Sequence, residues 1–117
     1  MLTDIGKELR KLRIDEGERL ADMARRIGKS ASFISAVEVG KKAPPAGFED
    51  LVAKSYQLAD GAWQALRRAA DASRTAFVIQ PNSALARDTA GLMARKIDGL
   101  SDEELLRIRK ILEGSSK

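Results

Sequence analysis

The segment that decides the fold is Leu20-Ala21-Asp22-Met23-Ala24-Arg25-Arg26-Ile27-Gly28-Lys29-Ser30-Ala31-Ser32-Phe33-Ile34-Ser35-Ala36-Val37-Glu38-Val39. Leu20, Met23, Ala24 and Ile27 recur at spacings of three and four, which makes one apolar helical face. Gly28 stops that helix and supplies turn geometry that a residue with a Cβ resists. Ser30 is placed to cap a second short helix, held inward by Ile34 and Val37 and ended by Gly40. Ala24 is small where the two helices must cross. With Ile34 and Val37 inward, Ala31, Ser32, Phe33, Ser35 and Ala36 fall nearer the outer side. Two helices joined in this way let the second enter a DNA major groove while the first lies across the backbone.

The same periodicity extends in both directions. Leu2, Ile5, Leu9 and Leu12 predict a helix from about Thr3 to Glu16, with Thr3 as N-cap and Gly17 as its left-handed end. Lys41 to Pro45 reads as a loop, because Pro44-Pro45 blocks helix continuation. Phe48, Leu51, Val52 and Ser55 begin a fourth helix. Asp60 is the expected N-cap of a fifth, with Trp63, Leu66 and Ala70 on one face. Five short helices in about 70 residues predict an all-α bundle over residues 1–72, the first domain; residues 73–117 form a C-terminal extension.

In the extension, Thr75-Ala76-Phe77-Val78-Ile79 is the one stretch of strand-like composition, closed by Pro81. A lone strand is not stable, so it either pairs with its copy in a second subunit or runs as an extended connector. Leu85, Thr89, Leu92, Met93 and Lys96-Ile97 predict an amphipathic helix ending near Gly99. Ser101-Asp102-Glu103-Glu104 is a capping box opening a last helix, with Leu105, Ile108 and Leu112 inward and its end at Gly114. Ser115 to Lys117 are expected to fray.

The chain has 117 residues, 21 Lys and Arg against 17 Asp and Glu, and no His or Cys. Without His or Cys there is no His-based triad, no thiol chemistry, no disulfide and no His- or Cys-ligated metal. No paired-acid or phosphate-loop constellation is present either, so the chain reads as a non-enzyme without a cofactor. Apolar runs are too short to span a membrane and the N-terminus lacks a signal-peptide core, so a cytoplasmic protein with no membrane partner is expected. The charge is concentrated. Arg25, Arg26, Lys29, Lys41 and Lys42 face one acid, Glu38, within 18 residues, which holds the whole net charge of +4. A focused basic patch points to an anionic partner, nucleic acid first.

Three segments carry a family resemblance: Gly6-Lys7-Glu8-Leu9-Arg10-Lys11-Leu12-Arg13, Met23-Ala24-Arg25-Arg26-Ile27-Gly28, and Ile34-Ser35-Ala36-Val37-Glu38-Val39-Gly40-Lys41-Lys42. Together they resemble the Cro/repressor-type (xenobiotic-response-element family) helix-turn-helix domain of phage and mobile-element regulators, over about Leu2 to Ala70. The resemblance implies a five-helix domain that binds double-stranded DNA as a homodimer. Carried over by position, it places Ala31, Ser32 and Ala36 at base edges with Phe33 and Ser35 close by, and Arg19, Lys41 and Lys42 at phosphates. Lys29 and Ser30, at the start of the second helix, join the phosphate set. Arg13 and Glu38 match a pair that, in the family, ties the first helix to the recognition helix. The sequence departs from the family at Leu20, where Gln is frequent, and its base-facing positions lack Arg, Gln and Asn, which suit bidentate base recognition. Apolar contact of Ala31, Phe33 or Ala36 with thymine methyls, together with DNA shape, is the expected substitute.

The expected function is therefore a sequence-specific transcriptional regulator, a homodimeric repressor on an inverted-repeat operator. Dimerisation is expected through Phe77, Val78, Ile79, Leu85, Leu92, Leu105, Ile108 and Leu112, apolar residues that a 70-residue bundle does not need. The alternative is a protein-binding role, in which residues 75–114 hold a second protein: an antitoxin with its toxin, or an antiactivator that binds another regulator.

Overall fold

Helix α1 (Asp4–Glu16) starts where Thr3 leaves the extended region and its Oγ1 accepts the Gly6 N–H at 3.1 Å. It ends at Gly17, whose φ of 65° lets the Glu18 N–H turn back to the Arg13 carbonyl at 2.8 Å. In this computed structural model, which describes residues 1–114, the chain is all-α, with no strand among the described residues. Helix α2 (Leu20–Ile27) closes in the same way at Gly28, φ 73°, with the Lys29 N–H on the Ala24 carbonyl. Helix α3 (Ala31–Glu38) is capped by Ser30, whose Oγ accepts the Phe33 N–H at 3.0 Å. It stops at Glu38, slightly before Gly40. Helices α4 (Phe48–Ser55) and α5 (Asp60–Ala72) complete the set. Asp60 is the first residue of α5 rather than its cap: Ala59 occupies that position and makes no side-chain cap bond. The carboxylate instead lies in the first turn, where the helix dipole favours it.

These five helices enclose one core. Ile5 and Leu9 from α1, Met23 from α2, Ile34 and Val37 from α3, Val52 from α4 and Leu66 from α5 are fully buried. Gly6 brings α1 onto the end of α3. A Cβ at Gly6 would lie 2.3 Å from the Glu38 carbonyl oxygen, so only glycine allows this approach. That same oxygen accepts the Thr3 N–H and the Thr3 hydroxyl, both at 3.0 Å. Beneath the contact, the Arg13 guanidinium reaches both carboxylate oxygens of Glu38, the longer bond being 3.2 Å, and its Nη1 also touches the Met23 sulfur. Arg13 and Glu38 are 9% and 4% exposed, so this pair is screened little by water.

A second buried pair extends this unit beyond the bundle. Arg74 donates to both Glu49 carboxylate oxygens, at 2.7 and 3.0 Å, and to the carbonyls of Pro44 and Pro45. Burial opposes ionisation of Glu49, but the hydrogen bonds and charge of Arg74 outweigh it and hold the carboxyl below its ordinary range. This clasp keeps the segment after α5 with the bundle, and the chain divides into units of Met1–Val78 and from Ile79 on, six residues later than the composition shift suggests. The strand-like stretch Thr75 to Ile79 forms no strand; its residues are exposed.

Gln57 is the one described non-glycine residue with positive φ, 53°. It ends α4 in the geometry that Gly17 gives α1, with the Leu58 N–H on the Ala53 carbonyl. Left-handed backbone costs a residue with a Cβ about 1–2 kcal/mol, part of which Gly returns as unfolded-state entropy. Gln57→Gly is therefore expected to raise stability by about 0.5–1 kcal/mol, read as a higher urea midpoint with unchanged slope. A lower midpoint would mean that the Gln57 side chain contributes more than the strain costs.

The second unit holds α6 (Ala84–Lys96), a 3-10 turn (Ile97–Gly99) and α7 (Asp102–Gly114). Ser83 caps α6 by accepting the Ala86 N–H. Ser101 and Glu104 form the reciprocal capping box of α7, with the Ser101 N–H on Glu104 at 2.9 Å and the Glu104 N–H on Ser101 at 3.1 Å. Ser115 to Lys117 lie outside the described residues. No described residue of this unit is buried. Among the described residues, no helix is long and apolar enough to cross a membrane.

Candidate nucleic-acid interface

The outward side of α3 is built by its packing. Ile34 and Val37 fix the helix in the core, and the perpendicular positions then stand free. Ala31, Ser32, Ser35 and Ala36 line one shallow groove together with Leu20 from the start of α2, Val39 after α3, and Lys41. Ser32 and Ser35 are exposed. Four of the five residues expected at base edges are thus brought together.

Phe33 is not among them. It is half-buried and packs on the core, its ring edge-on to Phe48 at 5.7 Å between centroids and 64° between planes. The Lys29 and Lys42 ammonium groups lie 5.7 and 5.5 Å from the Phe33 centroid. Phe33 therefore forms an aromatic seat for two cations on one flank of α3, while Lys41 stands at the groove. Ser30 spends its side-chain acceptor on the α3 cap. Arg19 is exposed ahead of α2, its Nε 3.6 Å from Asp22, and its backbone N–H donates to the same carboxylate at 2.9 Å.

The basic window resolves into two groups. Arg25 is paired with Asp22. Arg26 bridges Glu16 and Glu18 at 2.8 Å each, donates to the Ser55 carbonyl and stacks over Tyr56 at 3.9 Å. Tyr56 in turn donates its hydroxyl to Glu18, which lowers the Glu18 carboxyl below its ordinary range; burial acts against this shift and Arg26 adds to it. Glu38 is taken by Arg13. Lys29, Lys41 and Lys42 have no ion-pair partner among the described residues, and all three are exposed around α3. The net positive charge of the window is thus concentrated on these three ammonium groups.

In the second unit, Leu92, Ile108 and Leu112 line an apolar groove between α6 and α7, together with Met93, Leu100 and Ile111. The sequence reading placed Met93 on the amphipathic face of α6 without assigning it to the interface, and did not name Leu100 or Ile111. Leu100 was hidden because it follows the 3-10 turn and belongs to neither helical stripe, whereas Ile111, three residues after Ile108, fits the α7 stripe and was passed over. Leu85 and Leu105 lie outside this lining, and Leu85 is exposed. Phe77 and Val78 instead line a groove of the first unit beside Pro44, Pro45 and Arg74. The residues expected at the dimer interface are thus divided between the two units. Comparison with protein-family models, curated proteins and solved structures finds no match for the chain.

Proposed function

We propose that the chain is a sequence-specific DNA-binding regulator, a homodimeric repressor of the helix-turn-helix kind, in which α2 crosses the DNA backbone and α3 enters the major groove. The observation that carries this reading is the charge arrangement around α3: three exposed ammonium groups without ion-pair partners flank a groove of small side chains, while neighbouring arginines are held in internal pairs. Free cations beside a small-residue helix face suit a phosphate backbone on either side of an open groove. A single such helix reads too few base pairs for useful discrimination, so two copies act together. The apolar groove of α6 and α7 is the surface for that pairing, and residues 79–114 carry six bases and six acids, so two copies do not repel. The same groove favours the second reading, a protein-binding role in which another protein occupies it.

The test is a titration of the full chain against duplex DNA over a range of salt. With three to four phosphate contacts per subunit, log affinity should fall against log salt with a slope of about −5 to −7 for a dimer. Lys41→Ala with Lys42→Ala should weaken binding to all sequences alike and flatten the slope by about 3 to 4. No binding to any duplex at low salt would remove the DNA reading and favour the protein partner.

A further inference from the structure

The groove on the outer side of α3 contains no amide, guanidinium or carboxylate. Apart from the Lys41 ammonium at its edge, which can also meet a guanine, the groove lacks the side chains that tell bases apart by paired hydrogen bonds, and a serine hydroxyl tolerates several bases. What the groove does offer is apolar surface. Leu20 is half-buried with part of its side chain facing the groove, and Val39 is 41% exposed. They border Ala31 and Ala36, whose methyl groups leave the space between them open. In the major groove, the one apolar feature of a base edge is the C5 substituent of a pyrimidine. Phe33 cannot take this part, because its ring is committed to Phe48 outside the groove.

We infer that this groove reads the C5-methyl group of a pyrimidine, thymine in unmodified DNA, and that Leu20 and Val39 are the residues that set this preference. The inference rests on the DNA-binding reading and deepens it. Contact with Leu20 and Val39 takes a methyl group out of water, and Lys41 at the groove's edge holds the adjoining backbone. 5-Methylcytosine presents the same methyl in the same place. Because Ser32 and Ser35 can donate or accept, the exchange of a carbonyl for an amino group beside that methyl is tolerated.

The experiment first selects tight-binding duplexes from a random pool with the full chain. Each thymine is then replaced by uracil, which removes the methyl and keeps every hydrogen-bonding atom. Replacement at one or two positions per half-site should weaken binding about fourfold each, the value of one buried methyl group. At those positions a 5-methylcytosine–guanine pair should bind about fourfold more tightly than a cytosine–guanine pair. Val39→Ala, at an exposed site that spares the core, should reduce both differences toward unity, and Leu20→Gln should do the same. Phe33→Ala should leave them intact. If duplexes are selected and bound with sequence preference, yet uracil and 5-methylcytosine are neutral at every position, the inference is overturned while the DNA reading stands. If no duplex is selected or bound, both are overturned.

Discussion

Glu38→Gln is expected to cost the first unit about 3–5 kcal/mol, because it leaves the Arg13 guanidinium buried without a counter-charge. The magnitude follows from the surroundings. Both side chains are nearly excluded from solvent, and the guanidinium makes two bonds to one carboxylate. Water cannot replace the lost acceptor, so the desolvation already incurred is no longer offset. Replacing both partners by apolar residues, Arg13→Met with Glu38→Leu, should recover most of the loss. The measurement is urea unfolding followed by fluorescence of Trp63, the single tryptophan, which lies in this unit and donates its indole N–H to Asp50 at 2.8 Å. A loss below about 1 kcal/mol, the range of exposed pairs, would show that water reaches the pair.

Gly6→Ala is the second large effect. Replacing glycine by alanine in a helix interior adds one methyl group and ordinarily stabilises the helix by about 0.5–1 kcal/mol, and Gly6, in the first turn of α1, would gain at most that. Here that methyl would stand 2.3 Å from a backbone carbonyl oxygen, which is the acceptor for both Thr3 donors. α1 and α3 would have to move apart, losing those bonds and the fit of Ile5 and Leu9. Overpacking of this kind costs about 1–3 kcal/mol, and a backbone neighbour that cannot rotate away puts this case at about 3 kcal/mol or more. Gly61→Ala is the control: it meets nothing within 4 Å and should be neutral or mildly stabilising. Should both substitutions stabilise alike, the close approach of α1 to α3 does not exist in solution.

The contrast between these two glycines shows where sequence reading stops. Gly17 and Gly28 were legible as helix ends because their role is local: a positive φ follows from the end of an apolar stripe. Ser30 and Ser101 were legible as caps for the same reason. Gly6 sits inside a helical pattern, and its purpose lies in Glu38, 32 residues away. Arg74 is similar. Nothing near it in sequence announces Glu49 or the two proline carbonyls. Phe33 shows the same limit on a single side chain. Positions 31 to 36 divide cleanly into inner and outer faces except at 33, which lies between them, and the side it takes is decided by Phe48 of another helix. Val39 flanks the groove from beyond α3, so a reading confined to that helix passes over it, while Leu20 was noted only as standing where the family often has Gln. Asp60 was taken as a cap on residue type alone, since Ala59 has no side-chain acceptor to announce its position.

The pair of helices α6 and α7 has a consequence of a different kind. Thirteen-residue helices are marginal in water by themselves, and none of the described residues here is buried to support them. If the groove between them is covered by a partner, the free energy that orders the pair is not a fixed property of the chain. It grows with the logarithm of the concentration of whatever covers the groove, by about 1.4 kcal/mol for every tenfold rise above the dissociation constant. If a second copy covers the groove, as proposed above, abundance becomes a structural variable: a scarce chain and a plentiful one would have the same sequence and the same bundle, yet differ in how much of the tail is folded at any instant.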